Sequence, residues 1–208
     1  MVYIFDFDGT LVDSMSVWAG AHIKLMEKHN IDYPENLIEI ITPMGGEAAA
    51  KYCISLGLDM TVEEMHEYYH NAVGSEYENT IPAKKNVIET LKKLKEQGHN
   101  LNVLTASPHP HLDPCLKRLG VIDLFDNLWT VEDIGPKNEV ETYRIVAEKL
   151  GKELSDCYFA DDNFVAVSTA KKAGMKTIGV YDESSAEFVD QIKEVVDKYV
   201  YDFSELLD

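Results

Sequence analysis

A rhythm constrains this chain more than any single motif. Five short apolar runs recur along it: Val2–Phe5, Leu101–Leu104, Leu128–Val131, Cys157–Ala160 and Thr177–Val180. A strand with one wet face alternates apolar and polar residues, whereas a strand covered on both faces reads as a continuous apolar run. Helical patterns separate the runs. Residues 84–97 carry Val87, Ile88, Leu91 and Leu94 at helical spacing and stop at Gly98. Residues 138–150 stop at Gly151, residues 163–173 at Gly174, and residues 185–198 carry Phe188, Val189, Ile192, Val195 and Val196. Strands of this kind alternating with helices predict an α/β fold built on a doubly wound parallel sheet, with the last acidic stretch, 182–208, as a solvated outer helix.

Residues 14–80 break the rhythm. They hold no good strand-like run, and helical stretches are expected near 15–29, 35–41, 45–57 and 61–79. The predicted organisation is therefore a catalytic core from 1–13 and 81–208, with an all-helical cap domain, 14–80, inserted between the first two strands. The chain's 208 residues and 45% hydrophobic content suffice for such a core and exclude disorder.

Charge narrows the partners. Nineteen Lys+Arg against thirty-seven Asp+Glu give −18, and the only arginines are Arg118 and Arg144. Such a surface repels nucleic acid and anionic membranes. Three cysteines, with no CxxC pair, support neither a disulfide framework nor a thiolate zinc site. No apolar run has the length of a signal peptide or a membrane span, so a cytoplasmic monomer is expected.

In open parallel sheets, ligands bind beyond the carboxyl ends of the strands. Beyond the first run come Asp6, Asp8, Gly9 and Thr10; beyond the second, Thr105, Ala106 and Ser107; near the third, Lys137; beyond the fourth, Asp161 and Asp162. One Asp after a strand is usually a turn former or a helix N-cap. Four carboxylates, a hydroxyl and an ammonium delivered to one edge predict a metal site beside an anion site. Hard oxygen donors without His or Cys favour Mg²⁺. One cation and Lys137 offset three of the four charges, and a proton balances the rest.

The segment Asp6-Phe7-Asp8-Gly9-Thr10-Leu11-Val12-Asp13-Ser14 resembles the opening motif of the haloacid dehalogenase superfamily. The resemblance runs through the chain: Thr105 matches the second motif, Lys137 the third, and Asp161-Asp162-Asn163 the paired-acid form of the fourth. The placement of the helical insertion is similar to that of the phosphatase and β-phosphoglucomutase branch. The resemblance implies Asp6 as a nucleophile that becomes an aspartyl phosphate and Asp8 as general acid and base. It implies that Thr105, the Ala106 N–H and Lys137 hold the phosphoryl group. Mg²⁺ would be held by Asp6, Asp161, Asp162 and, through its carbonyl, Asp8.

Several positions depart from the common pattern. Asn138 and Val140 stand where many relatives carry prolines. Asp161 replaces a glycine and Ala166 an acid, which puts weight on Asp161 as a ligand. Pro108 stands where mutases often carry a lysine, so a phosphatase is expected ahead of a sugar-phosphate mutase. Asp8 excludes the dehalogenases, which lack that acid. A phospho-accepting signalling module would need neither the helical insertion nor Asp8.

The implied substrate is a small phosphorylated metabolite. Residues 14–80 hold eleven acids against Lys24, Lys28 and Lys51, so its other end is expected to be weakly charged, as in a sugar or polyol. Three weaker signals remain. His66-Glu67-Tyr68-Tyr69-His70 matches the H-E-x-x-H zinc pattern but is read as a His-rich amphipathic helix without a third ligand. Pro108-His109-Pro110-His111 is read as an exposed loop. Met44-Gly45-Gly46 is read as a hinge rather than an anion site.

Overall fold

The computed structural model describes residues 1–41 and 46–207. The chain separates into two compact units: 1–13 with 81–208, and 14–80. The first unit is a parallel sheet of six strands: β1 Val2–Phe5, β2 Asn100–Thr105, β3 Asn127–Thr130, β4 Cys157–Asp161, β5 Lys176–Val180 and β6 Lys198–Val200. Their order is β3-β2-β1-β4-β5-β6, so the chain's direction of winding reverses between β1 and β4. The register there pairs Phe5 with Ala160, which sets Asp6 beside Asp161 at the switch point, the usual ligand position in such sheets.

All four residues of β1 are buried. Side chains of one strand go to opposite faces, so both faces must be covered. On one face Val2, Ile4, Leu104 and Phe159 join Tyr143, Val146 and Ala170 from two helices. The helices of this unit are α5 Val87–Glu96, α6 His109–Arg118, the single turn α7 Val131–Ile134, α8 Val140–Leu150, α9 Phe164–Ala173 and α10 Val189–Val195, with α1 to α4 belonging to the insertion.

Three sequence expectations are corrected. The third strand ends at Thr130, because Thr130 and Asp133 form a reciprocal capping box that starts a helix at Val131. Residues 109–118 form helix α6, not a loop, and His111 is buried. Pro110 falls in the first turn, where its missing N–H costs nothing, and the helix tolerates Pro114. The acidic C-terminal stretch is not one solvated helix. It breaks at Val196, adds β6 to the sheet, and buries Val200, Phe203 and Leu206.

Among its described residues the second unit builds its regular structure from helices alone: α1 Met15–Lys28, α2 Leu37–Ile41, α3 Gly46–Ser55 and α4 Val62–Asn79. Helix α4 opens on a capping box between Thr61 and Glu64. It packs on α1 and α3 through a buried stripe of Met65, Tyr69, Val73 and Tyr77. The Trp18 indole N–H donates to Tyr77 Oη at 2.7 Å. His66, Glu67 and His70 lie on the exposed side of that helix, which is the amphipathic reading of the H-E-x-x-H segment. The expected Met44-Gly45-Gly46 hinge falls outside the described residues except for Gly46, which starts α3.

Candidate active site

The site grows from the carboxyl ends of β1 and β4. Asp6 continues β1, its N–H donating to Ala160 O at 2.9 Å, and is 5% exposed. The chain then turns sharply: Leu11 and Val12 both donate N–H to Phe7 O. Gly9 makes the turn possible with φ +72, and a Cβ built on it would stand 2.8 Å from both Asp162 carboxylate oxygens. Only glycine allows that backbone to approach the acid so closely.

Asp161 ends β4 and is fully buried; Asp162 follows, 7% exposed. Asn163 then caps α9 through Oδ1, which accepts from the N–H of Val165 and Ala166. Asn163 N–H itself donates to Asp161 Oδ1 at 2.7 Å. Oxygens of Asp6, Asp161 and Asp162 lie within 4.8 Å of one another, which makes these three residues a candidate metal-holding group. The Asp8 side chain stands apart from them, its Oδ2 accepting from the Ser107 hydroxyl at 2.5 Å.

Lys137 lies in the segment between α7 and α8. Its ammonium sits 2.7 Å from Asp6 Oδ1 and 2.8 Å from Asp161 Oδ2, with 15% of its side chain exposed. Helix α8 fastens this segment. Thr142 Oγ1 donates to Pro136 O at 2.7 Å, and the buried Tyr143 hydroxyl shares its one proton between Lys137 O at 2.7 Å and Ala166 O at 3.0 Å. Thr105, at the end of β2, accepts the Ser107 N–H on Oγ1 at 2.9 Å and shapes the turn that carries Ala106, which is exposed.

One ammonium between three buried carboxylates leaves an excess of negative charge. Burial, then the charge of Asp161, pushes the Asp6 carboxyl up to about 7, although Lys137 pulls the other way. Burial, then Asp161 and Asp6, drives Asp162 well above the ordinary carboxylate range. Burial alone would lower Lys137, but Asp161 and Asp6 outweigh it and hold the ammonium above its usual value. The cluster thus keeps the lysine proton and takes up a further proton in the absence of another cation. A hard divalent cation fits this donor set: buried carboxylate oxygens, close together and short of positive charge.

Sequence reasoning found the acids and Lys137 but gave no role to four neighbours. Ser107 binds Asp8. Thr10 Oγ1 donates to Asp162 Oδ1 at 3.2 Å. Tyr143 holds Lys137 by its carbonyl. Lys84 enters from the start of α5, with no signal but its place beside the return from the insertion. Ser107 and Thr10 adjoined motif residues and could have been chosen on that ground.

The haloacid dehalogenase-like hydrolase family model matches residues 3–180. This chain belongs to that family. Among curated relatives, it is 26% identical over 181 residues to the pyrophosphatase PpaX of Bacillus velezensis, covering 85% of this chain and 81% of the other. It is 27% identical over 215 residues to a phosphoglycolate phosphatase of Pectobacterium atrosepticum, covering 94% of this chain and 87% of the other. A solved structure from Haemophilus somnus, described as a predicted phosphoglycolate phosphatase, superposes with a TM-score of 0.81 at 25% identity, over 99% of this chain and 96% of that one. The family and these relatives make the hydrolase an enzyme of the phosphatase class. Among the described residues, no helix is long and apolar enough to cross a membrane.

Proposed function

We propose that this hydrolase removes phosphate from a small phosphomonoester through a phosphorylated Asp6, with Mg²⁺ as cofactor. The observation that carries the reading is the buried Asp6 carboxylate, gripped by Lys137 at 2.7 Å and grouped with Asp161 and Asp162 at the switch point of the sheet. A carboxylate nucleophile needs a partner that steadies it without transferring a proton to it, and a buried lysine with a raised pKa does that.

In the first step an Asp6 oxygen attacks phosphorus and the bond from phosphorus to the ester oxygen breaks. Asp8 gives its proton to the departing alkoxide. In the second step Asp8 takes a proton from water as that water attacks the same phosphorus. The bond to Asp6 breaks and inorganic phosphate leaves. The Ser107 hydroxyl fixes the Asp8 carboxyl between these two exchanges. Lys137, Thr105 and the Ala106 N–H steady the phosphoryl oxygens, the positioning and charge stabilisation on which phosphoryl transfer mostly depends. Asp6, Asp161, Asp162 and the Asp8 carbonyl would hold Mg²⁺, which supplies charge neutralisation between nucleophile and phosphoryl group.

The helical insertion, 14–80, acts in this reading as the cap that selects substrate. Its eleven acids and three lysines favour a substrate whose other end is a sugar or polyol rather than a second anion. The test is turnover of a generic aryl phosphate and of a panel of sugar and polyol phosphates, with Mg²⁺ and with EDTA. Activity is expected only with the metal and is expected to vanish in Asp6→Asn. Ordinary turnover by Asp6→Asn would overturn the covalent route, and a strict requirement for a bisphosphate primer would replace hydrolysis by a mutase outcome.

A further inference from the structure

Lys84 is a second largely buried lysine near the carboxylates, and none of the roles assigned above uses it. It lies just before α5, and 18% of its side chain is exposed. Its ammonium donates to three groups from two distant parts of the chain: Gly9 O, Tyr181 O and, at 2.8 Å, Asp182 Oδ2. Its backbone N–H donates to Leu11 O at 3.0 Å, so the residue grips the turn after Asp8 twice. Asp182 is itself fixed, its Oδ1 accepting from the Ser184 N–H and hydroxyl.

What Lys84 grips is the part of the first motif that meets the metal group. Gly9 lies so near Asp162 that a Cβ on it would stand 2.8 Å from the carboxylate oxygens, and Thr10 donates to Asp162 Oδ1. Asp8 immediately precedes that turn. A shift of Gly9 would therefore move the general acid on one side and an Asp162 contact on the other. Three acceptors around one ammonium leave it no spare donor. A purely structural ion pair at the surface would need none of this convergence.

We propose that Lys84 is a positioning residue that clamps the Gly9–Thr10 turn to the end of β5 and so fixes Asp8 and Asp162 in working register. The proposal rests on the phosphatase reading of the site, and its test separates the two. Lys84→Met removes the ammonium but keeps most of the buried stem. Lys85→Met is the control, since that side chain is 83% exposed and its partner is Asp202.

Wild type, Lys84→Met and Lys85→Met are compared for kcat and KM on an alkyl and an aryl phosphomonoester. They are also compared for the rise in melting temperature caused by Mg²⁺ beyond that of Na⁺ at equal ionic strength. Misplacing a catalytic group by a fraction of an ångström to an ångström costs up to about 100-fold. Lys84→Met is expected to lose about 10–100-fold in kcat, more on the alkyl than on the aryl ester, with KM held within about twofold. It should also lose most of the Mg²⁺-specific melting rise. Lys85→Met should match wild type in both.

If Lys84→Met melts lower but keeps wild-type kcat and the full Mg²⁺ rise, the lysine is structural and the proposal falls. Should that variant fail to fold, Lys84→Gln is read by the same two measurements. A wild type with neither Mg²⁺-specific rise nor phosphatase activity would instead overturn the function proposed for the site, whatever the variants do.

Discussion

The proton held in the carboxylate cluster should be visible as a pH dependence of stability. Asp6 is 5% exposed, and its carboxyl is pushed up to about 7 from an ordinary value of 3.8. A carboxyl with a raised folded pKa binds its proton more tightly in the native state, so stability falls as pH rises from the unfolded value to the folded one. At 1.36 kcal/mol for each tenfold change in affinity, the whole interval is worth about 4 kcal/mol, and the part between about pH 5 and pH 7 about 2 kcal/mol, since the carboxyl is already half ionised at its folded value. For a chain of this size, about 2 kcal/mol corresponds to a fall of about 4–8 °C in melting temperature.

Other groups act in the same interval. Asp162 is raised and has the same sign as Asp6. His109, raised by hydrogen bonds to Asp113 and Asp133 against the opposing effect of burial, also stabilises below its folded pKa and loses that contribution above it. Burial lowers His22 and His99, so these two add stability as pH rises toward 6.5. Asp126, Asp133, Asp197 and Asp202 are lowered, and their contribution is complete by about pH 5. Comparing wild type with Asp6→Asn cancels the contributions of the histidines and of the lowered aspartates, while Asp162, raised in part by Asp6, falls with it and adds to the difference.

The assay is thermal melting in EDTA at several pH values and constant ionic strength. Wild type should lose several degrees more than Asp6→Asn between about pH 5 and pH 7. Saturating Mg²⁺ should reverse the wild-type trend, because a cation on the three carboxylates favours their ionised forms. A wild-type curve in EDTA that parallels that of Asp6→Asn over this range would show that the cluster holds no proton at Asp6, and the electrostatic account of the site would be wrong.

Three further outcomes follow from single hydroxyls and acids. Asp8→Asn should cost about 10²–10⁴ in kcat on an alkyl phosphate and let the phosphorylated enzyme accumulate on a good aryl leaving group, measured by acid quench; Ser107→Ala, which removes one hydrogen bond to Asp8 Oδ2 and leaves the carboxyl in place, should cost far less. Tyr143→Phe leaves Lys137 O and Ala166 O without their buried donor and should destabilise by about 1–3 kcal/mol in denaturant melts, with a fall in kcat as Lys137 loosens.

How far the sequence could be read depended on how local each determinant was. Strands β1, β2, β4 and β5 announced themselves because burial on both faces demands predominantly apolar runs, even though β2 carries the buried Asn102, whose amide donates to Tyr3 O. Residue types at the strand ends sufficed to pick Asp6, Asp161, Asp162 and Lys137. Strand β6 escaped because Lys198-Tyr199-Val200 is short, sits at the sheet edge, and follows a helical pattern that runs into it at Lys198. Helix α6 escaped because Pro108 and Pro110 read as loop residues, although a first-turn proline is compatible with a helix.

Two of the unread neighbours share a physical cause. Tyr143 reaches Lys137 through a carbonyl six residues away, and Lys84 reaches the carbonyls of Gly9 and Tyr181 across 75 and 97 positions of chain. Bonds of this kind join a side chain to a backbone oxygen, and every residue offers a backbone oxygen. No residue type at the receiving end marks the contact, so no pattern can disclose it. Acids that bind a metal must be acids, and their spacing is therefore legible. The tyrosine that holds Lys137 and the lysine that holds the Gly9 turn need only a reachable carbonyl, which the fold alone supplies. The acids and lysine of the candidate site were thus legible as residue types, and their placement lay in a topology that brings β1, β4 and β5 side by side.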